Sequence, residues 1–244
     1  MKSSNPILKP SIFAKYGAPD AAYMTIDGTV NKTAILMAVL LATAGFTWFV
    51  SGGDAGAALP WLFIGIIGGL VSCLATVFKK NWAPVTAPIY AAFEGLVIGG
   101  LSSILEAEYP GIAFQAAGLT IGVLFAMLFA YRARIIRATE KFKMGVFIAT
   151  ASIGIVYLAS MVLGLFGVDL PYLHSAGPVG ILISLVIVGV AALNLILDFD
   201  LIEQGSKSGA PQYMEWYGAF ALMVTLIWLY IEILRLLSKL RSSK

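Results

Sequence analysis

Seven apolar runs, each about as long as a membrane is thick, constrain this chain more than any other feature. They cover approximately residues 34–52, 58–78, 86–107, 111–131, 144–167, 178–202 and 215–237. A helix rises 1.5 Å per residue, and about 20 apolar residues cross the hydrocarbon core. Inside lipid every backbone N–H and C=O must be satisfied within the protein, so a run of this length folds as a helix. The pattern therefore predicts an all-α fold, a polytopic bundle of seven transmembrane helices. Charge agrees with it: 12% of the residues are charged, against about 25% in a soluble domain. The breaks are short and carry Gly52-Gly53, Lys79-Lys80 with Pro84, Pro110-Gly111, the basic stretch Arg132–Lys143, Pro171, and Gly205–Pro211. They leave no room for a second domain. Residues 1–33 read as a polar cytoplasmic tail without the apolar core of a signal peptide. Residues 34–238 form the membrane domain, and 239–244 a short basic tail.

Lys and Arg set the orientation. With the N-terminus inside, the inner segments hold Lys2, Lys9, Lys15, Lys32, Lys79, Lys80, Arg132, Arg134, Arg137, Lys141, Lys143 and Lys207. The outer loops carry Asp54, Glu106, Glu108 and Asp169 instead. The alternation breaks at Arg235, Lys239, Arg241 and Lys244, which seven spans place outside. Either the last run spans against the rule, or one of the final two is re-entrant. Seven spans is the preferred reading, because the last run is long enough and early helices usually set orientation. The expected location is a bacterial inner membrane. Three glycine pairs at four-residue spacing, Gly65/Gly69, Gly95/Gly99 and Gly118/Gly122, predict close helix packing. Trp61, Trp82, Trp216, Tyr213 and Tyr217 fall near span ends, as an interfacial belt requires.

The chemistry concentrates in Asn194–Gly205, which reads N-L-I-L-D-F-D-L-I-E-Q-G. A carboxylate at membrane depth costs about 2.5–3.5 kcal/mol on insertion scales and usually serves ion or proton handling. By helical rise, Glu94 lies about 12 Å into the third span from its inner side, and Asp198 about 6 Å from the inner end of the sixth. Asn194 and Asp198 share a helix face, as do Asp200 and Glu203; Asp198 and Asp200 point different ways. Without a buried cation, such acids stay protonated, share a proton, or bind a hard cation such as Ca²⁺. The competing reading is that Asp198, Asp200 and Glu203 end a helix at the headgroups. Glu94 is too deep for that, and its bland alternative is a hydrogen bond to neighbouring backbone. Glu232 and Arg235 read as an i,i+3 ion pair snorkelling to the outer interface. His174 reads as a solvated loop residue. Arg132–Lys143 reads as the topology signal, with contact to anionic lipid as a further consequence.

Several classes are excluded by what the chain lacks. It has no G-x-x-x-x-G-K-[ST], no H-E-x-x-H and no G-x-S-x-G. One Cys, Cys73, rules out a disulfide framework or a cysteine-rich metal site. An aspartyl protease would need a G-x-G-D stretch, which is missing. No enzymatic activity, cofactor or nucleic-acid partner is expected.

The chain resembles the Bax inhibitor-1 family, in particular its bacterial Bax inhibitor-like branch, over roughly residues 20–240. The resemblance rests on the seven spans, Phe199-Asp200 near the inner end of the sixth, Phe93-Glu94-Gly95-Leu96 in the third, and the ending L-Y-I-E-I-L-R-L-L at Leu229–Leu237. It implies a central last helix surrounded by the other six. It also implies a pH-sensitive Ca²⁺ leak gated by two aspartates, one in the sixth helix and one in the seventh. The first matches Asp200 best, with Asp198 as the alternate. The second position is Thr225 here, so either Glu94 supplies the second carboxylate or the gating is altered. The expected ion pathway and pH sensor are Asp198, Asp200, Glu94, Glu203 and Asn194, with Glu232 and Thr225 behind them. A bound Ca²⁺ would sit between Asp200 and Glu94. The alternative function is a non-transporting regulator that binds a membrane protease or a stress partner.

Overall fold

The computed structural model describes residues 23–167, 175 and 177–243. It contains seven helices long and apolar enough to cross a membrane. They are α1 (Ile26–Ser51), α2 (Ala55–Phe78), α3 (Ala83–Glu108), α4 (Ile112–Arg132), α5 (Glu140–Leu165), α6 (Pro178–Lys207) and α7 (Met214–Ser242), with a short 3-10 turn at Lys80–Trp82. The all-α membrane bundle expected from hydropathy is what forms. Most of the polar tail (1–22) and the loop bearing Asp169, Pro171 and His174 lie outside the described residues.

Local chemistry fixes the ends. Thr25 caps α1 by accepting a hydrogen bond from the Gly28 N–H at 2.9 Å. That cap starts the helix at Ile26, eight residues or so before the apolar run begins. Asp54 caps α2 through the N–H groups of Gly56 and Ala57. The Glu106 carboxylate reaches over the turn to the N–H groups of Gly111 and Ala113 and so caps α4. Thr139 caps α5, and Pro178 opens α6 with the φ that a first helical position needs.

The connections place two ends. One end, called the basic end below, holds the start of α1, Lys79, Lys80, the Arg132–Glu140 connection and the α6–α7 turn. The opposite end holds the α1–α2 and α3–α4 turns and the end of α7. There Arg241 donates to the Pro110 carbonyl and to Gln115, joining the last helix to the start of α4.

Helix α7 packs against α1, α3, α4 and α6 and holds much of the core, with Met223, Leu229 and Leu234 fully buried. The expected central last helix is present, with the other helices placed unequally around it. Helix α2 lies mainly on α3, and α5 mainly on α6, where Val146 is its one buried residue. Both flank a five-helix core and turn most of their surface to lipid.

Two of the three glycine pairs pack as expected. A Cβ on Gly95 would stand 2.4 Å from the Leu40 carbonyl oxygen, and one on Gly99 2.2 Å from that of Ala44. Helices α1 and α3 therefore touch backbone to backbone. A Cβ on Gly65 would stand 2.7 Å from the Phe93 carbonyl oxygen of α3, while Gly69 makes room for the Glu94 side chain. Among the described residues nothing lies within 4 Å of where a Cβ would stand on Gly118 or Gly122. The same sequence motif marks contact in one helix and lipid exposure in another.

A lock at the basic end was not visible in the sequence. Glu215, in the first turn of α7, is 2% exposed. It accepts hydrogen bonds from Thr25 N at 3.0 Å and Thr25 Oγ1 at 2.8 Å, with Lys32 Nζ at 3.6 Å. Met24 N donates to the Ala210 carbonyl at 2.7 Å. The chain entering α1 is thus tied to the α6–α7 turn. Glu215→Ala leaves two Thr25 donors without an acceptor and is expected to destabilise the protein by about 1–3 kcal/mol. Thermal unfolding in detergent micelles measures it, with Gly56→Ala at the exposed far end as the control of small effect.

Candidate functional site

The α6 helix has 30 residues, so it is about 45 Å long, well beyond the ~30 Å of hydrocarbon. Its last turns therefore project past the apolar layer at the basic end. Asp200 and Glu203 sit on those turns and are paired with cations. Lys143 Nζ lies 2.9 Å from Asp200 Oδ2, and Gln204 also donates to that oxygen. Glu203 accepts from the Tyr131 hydroxyl and pairs with Lys207. The headgroup reading, weighed for all three α6 acids, therefore describes Asp200 and Glu203.

Asp198 differs. Nine residues before Lys207, it lies about 13 Å from the helix end. Its Oδ2 is buried and has no hydrogen-bond partner among the described residues. The neighbour of its carboxyl group is the Thr225 hydroxyl, from α7. Thr225 Oγ1 also stands 3.3 Å from the Ala221 carbonyl of its own helix. No lysine or arginine forms an ion pair with Asp198 among the described residues. Of the two aspartates that the resemblance offers for the sixth-helix position, Asp200 and its alternate Asp198, Asp198 is the one that faces position 225. Asp200 lies two residues on, about 200° around the helix, and looks outward to α5.

The other candidates go elsewhere. Asn194 shares the Asp198 stripe, yet its amide donates to Thr150 Oγ1 at 2.8 Å and to the Val190 carbonyl at 2.9 Å, which ties α6 to α5. Glu94 does not reach α6. It bonds with Tyr90, faces Cys73, and lies 3.0 Å from where a Gly69 Cβ would be, all in the α2–α3 interface. The expectation that Glu94 supplies a second carboxylate beside Asp198 or Asp200 is not met. Among the described residues no three His, Cys, Asp or Glu side chains gather as a metal site.

Glu232 forms the expected ion pair with Arg235, at 3.5 Å, but in a different setting. It is 1% exposed, because α5 covers it. Tyr157 donates to Glu232 Oε1 at 2.9 Å, and Arg235 donates to the Tyr157 hydroxyl at 2.6 Å while lying over its ring. One turn further along, Lys239 is buried and donates to the Gly180 carbonyl and Ser184 Oγ. Residues 239–242 therefore continue α7 into the bundle. The α7 residues 232, 235 and 239 share one face, and that spacing was the signal for this network.

Comparison with known families now decides the assignment: the family described as Bax inhibitor 1 like matches residues 5–242. The chain belongs to this family. The match spans all seven helices, so this multi-pass membrane protein carries the Bax inhibitor-like fold across its length. No curated protein and no solved structure matches it. In this member of the Bax inhibitor family Thr225, where the resemblance leads one to expect a seventh-helix aspartate, turns its hydroxyl to Asp198, the one α6 carboxyl group with no paired cation among the described residues.

Proposed function

We propose that the protein is a cation leak pathway in a bacterial inner membrane, with its basic end cytoplasmic, and that protonation of Asp198 sets conduction. The observation that carries this is Asp198 Oδ2, buried at membrane depth without a hydrogen-bond partner among the described residues. An ionised carboxylate there, with no cation beside it, is costly in lipid. A passing cation or a proton relieves that cost.

Thr225 makes the change reversible. A hydroxyl has one proton to donate. With Asp198 ionised, Thr225 donates to it. With Asp198 protonated, the acid donates to Thr225 Oγ1, and Thr225 turns its own proton to the Ala221 carbonyl. Both states satisfy the hydroxyl, so the pair exchanges partners without moving a helix.

The sign follows from charge. An ionised Asp198 attracts cations, so flux rises with pH and falls as acid neutralises the group. Ca²⁺ takes 6–8 oxygen ligands, more than Asp198 and Thr225 supply, so the ion keeps water as it passes. The protein needs no cofactor for this and has no catalytic step. The test is Ca²⁺ entry into dye-loaded proteoliposomes, scanned through neutral pH against protein-free vesicles. Entry that increases with pH supports the leak. Vesicles as tight as the protein-free control at every pH would overturn it and favour a regulator that acts through a protein partner.

A further inference from the structure

A long groove opens to lipid between α1 and α4. Its two parts share Met37, Leu124 and Phe125 and so are continuous. The part nearer the opposite end, about 690 Å³, is apolar, walled by Leu41 and Trp48 on one side and Ile121 on the other, with Met223 and Leu226 of α7 as its floor. The part at the basic end, about 820 Å³, is bordered by Arg132, Arg134 and Arg137.

These three arginines are exposed, and their side chains form no ion pair or hydrogen bond among the described residues. Arg134 adopts φ 57°, a left-handed backbone unusual for a residue with a side chain. Asp200 and Glu203 border the same mouth, but Lys143 and Lys207 already answer them. Glu203 also lies in the field of Arg134, but it is already paired with Lys207. Arg132 and Arg137 have no paired acid among the described residues, so positive charge is in excess at the headgroup level of an apolar slot.

We infer that this groove is a binding site for an anionic phospholipid, with one acyl chain between α1 and α4 and the headgroup phosphate on Arg132, Arg134 and Arg137. Guanidinium groups bind phosphate oxygens in pairs and keep their charge at any working pH. From Thr33 to Gly45 helix α1 rises about 18 Å, slightly more than the ~15 Å half-thickness of the hydrocarbon. One acyl chain fits that length. A zwitterionic lipid brings an ammonium group that the arginines repel, and an apolar helix leaves their charge unanswered. Charge complementarity therefore selects the anionic lipid. The site stands apart from Asp198 and does not depend on conduction.

Native mass spectrometry of the purified protein tests this, with phosphatidylglycerol and phosphatidylcholine of identical chains as probes. Wild type is expected to retain phosphatidylglycerol about tenfold more tightly, the scale of one well-formed charge-assisted contact. The triple variant Arg132→Gln, Arg134→Gln, Arg137→Gln loses that preference. Gly45→Trp places bulk where the Gly45 Cβ direction is open, fills the slot, and weakens both lipids while leaving the arginines intact. Equal retention of the two lipids by wild type would overturn the inference. So would a preference that survives the triple variant, or retention of both lipids unaffected by Gly45→Trp, which would mark a phosphate site with no acyl slot. Inorganic phosphate displacing the lipid at millimolar concentration would count against it in the same way. Should the triple variant fail to fold, the three single Arg→Gln variants and Gly45→Trp carry the test.

Discussion

Asp198→Asn is expected to remove the pH dependence of cation flux and hold it at its low, acidic level, whereas Asp200→Asn leaves the pH dependence in place. Both changes delete one carboxylate from the same helix, two residues apart. They differ in what surrounds the group. Asp200 is neutralised by Lys143 at 2.9 Å and lies toward the headgroups. Asp198 has a buried oxygen with no hydrogen-bond partner among the described residues, and its carboxyl group lies beside the Thr225 hydroxyl. A unit charge 4 Å from a passing cation contributes about 4 kcal/mol at an effective dielectric of 20. Even a third of that changes a rate about tenfold. Flux measured in proteoliposomes for wild type and both variants reads the contrast. The reverse pattern, with Asp200→Asn abolishing the response and Asp198→Asn keeping it, would move the sensor to the surface pair.

Gly99→Ala is expected to destabilise the bundle strongly, while Gly118→Ala does nothing or helps slightly. The added methyl at position 99 would stand 2.2 Å from the Ala44 carbonyl oxygen and 2.8 Å from its Cα. Those are backbone atoms, so no side chain can step aside and α1 must move off α3. Overpacking of this kind costs about 1–3 kcal/mol, occasionally more. Because α1 also packs on α7, the displacement reaches the core around Met223. At Gly118 nothing lies within 4 Å, and Ala favours helix over Gly by roughly 1 kcal/mol. Thermal unfolding in one detergent compares the two. Equal loss in both variants would mean that α4 also packs through its glycine face, against the open groove described above.

The fold was legible because lipid leaves a chain so few choices. Seven apolar runs correspond to seven helices, and the breaks at Gly52-Gly53 and Pro110-Gly111 fall at helix ends. The first helix began earlier than hydropathy indicated, since Thr25, Asp27 and Lys32 are polar and a cap and a lock decide that boundary. Gly95/Gly99 and Gly118/Gly122 read alike because spacing records which residues share a face and not what the face meets. The candidate site was legible as a stretch and not as a residue. Asp198 and Asp200 lie on opposite sides of α6, and only the placement of α7 and of Lys143 tells the buried one from the paired one. Glu94 shares their depth but points to α2, a matter of rotation that depth cannot show. Glu215 carries no signal in the sequence because a Glu in a first helical turn is ordinary. Its meaning comes from Thr25, 190 residues away. Glu232 read as a surface pair since Arg235 stands three residues on, and Tyr157 of another helix is what buries it.

The central claim is that Asp198 changes protonation at membrane depth and that conduction follows. Infrared difference spectroscopy in lipid, stepping the pH for wild type and Asp198→Asn, reads the carboxyl group directly. The account predicts a protonated-carboxyl band in wild type that fades as pH rises, is absent from the variant, and titrates over the same range in which Ca²⁺ entry increases. A band that persists unchanged in Asp198→Asn, or a wild-type flux that varies with pH while the Asp198 band stays constant, would contradict it.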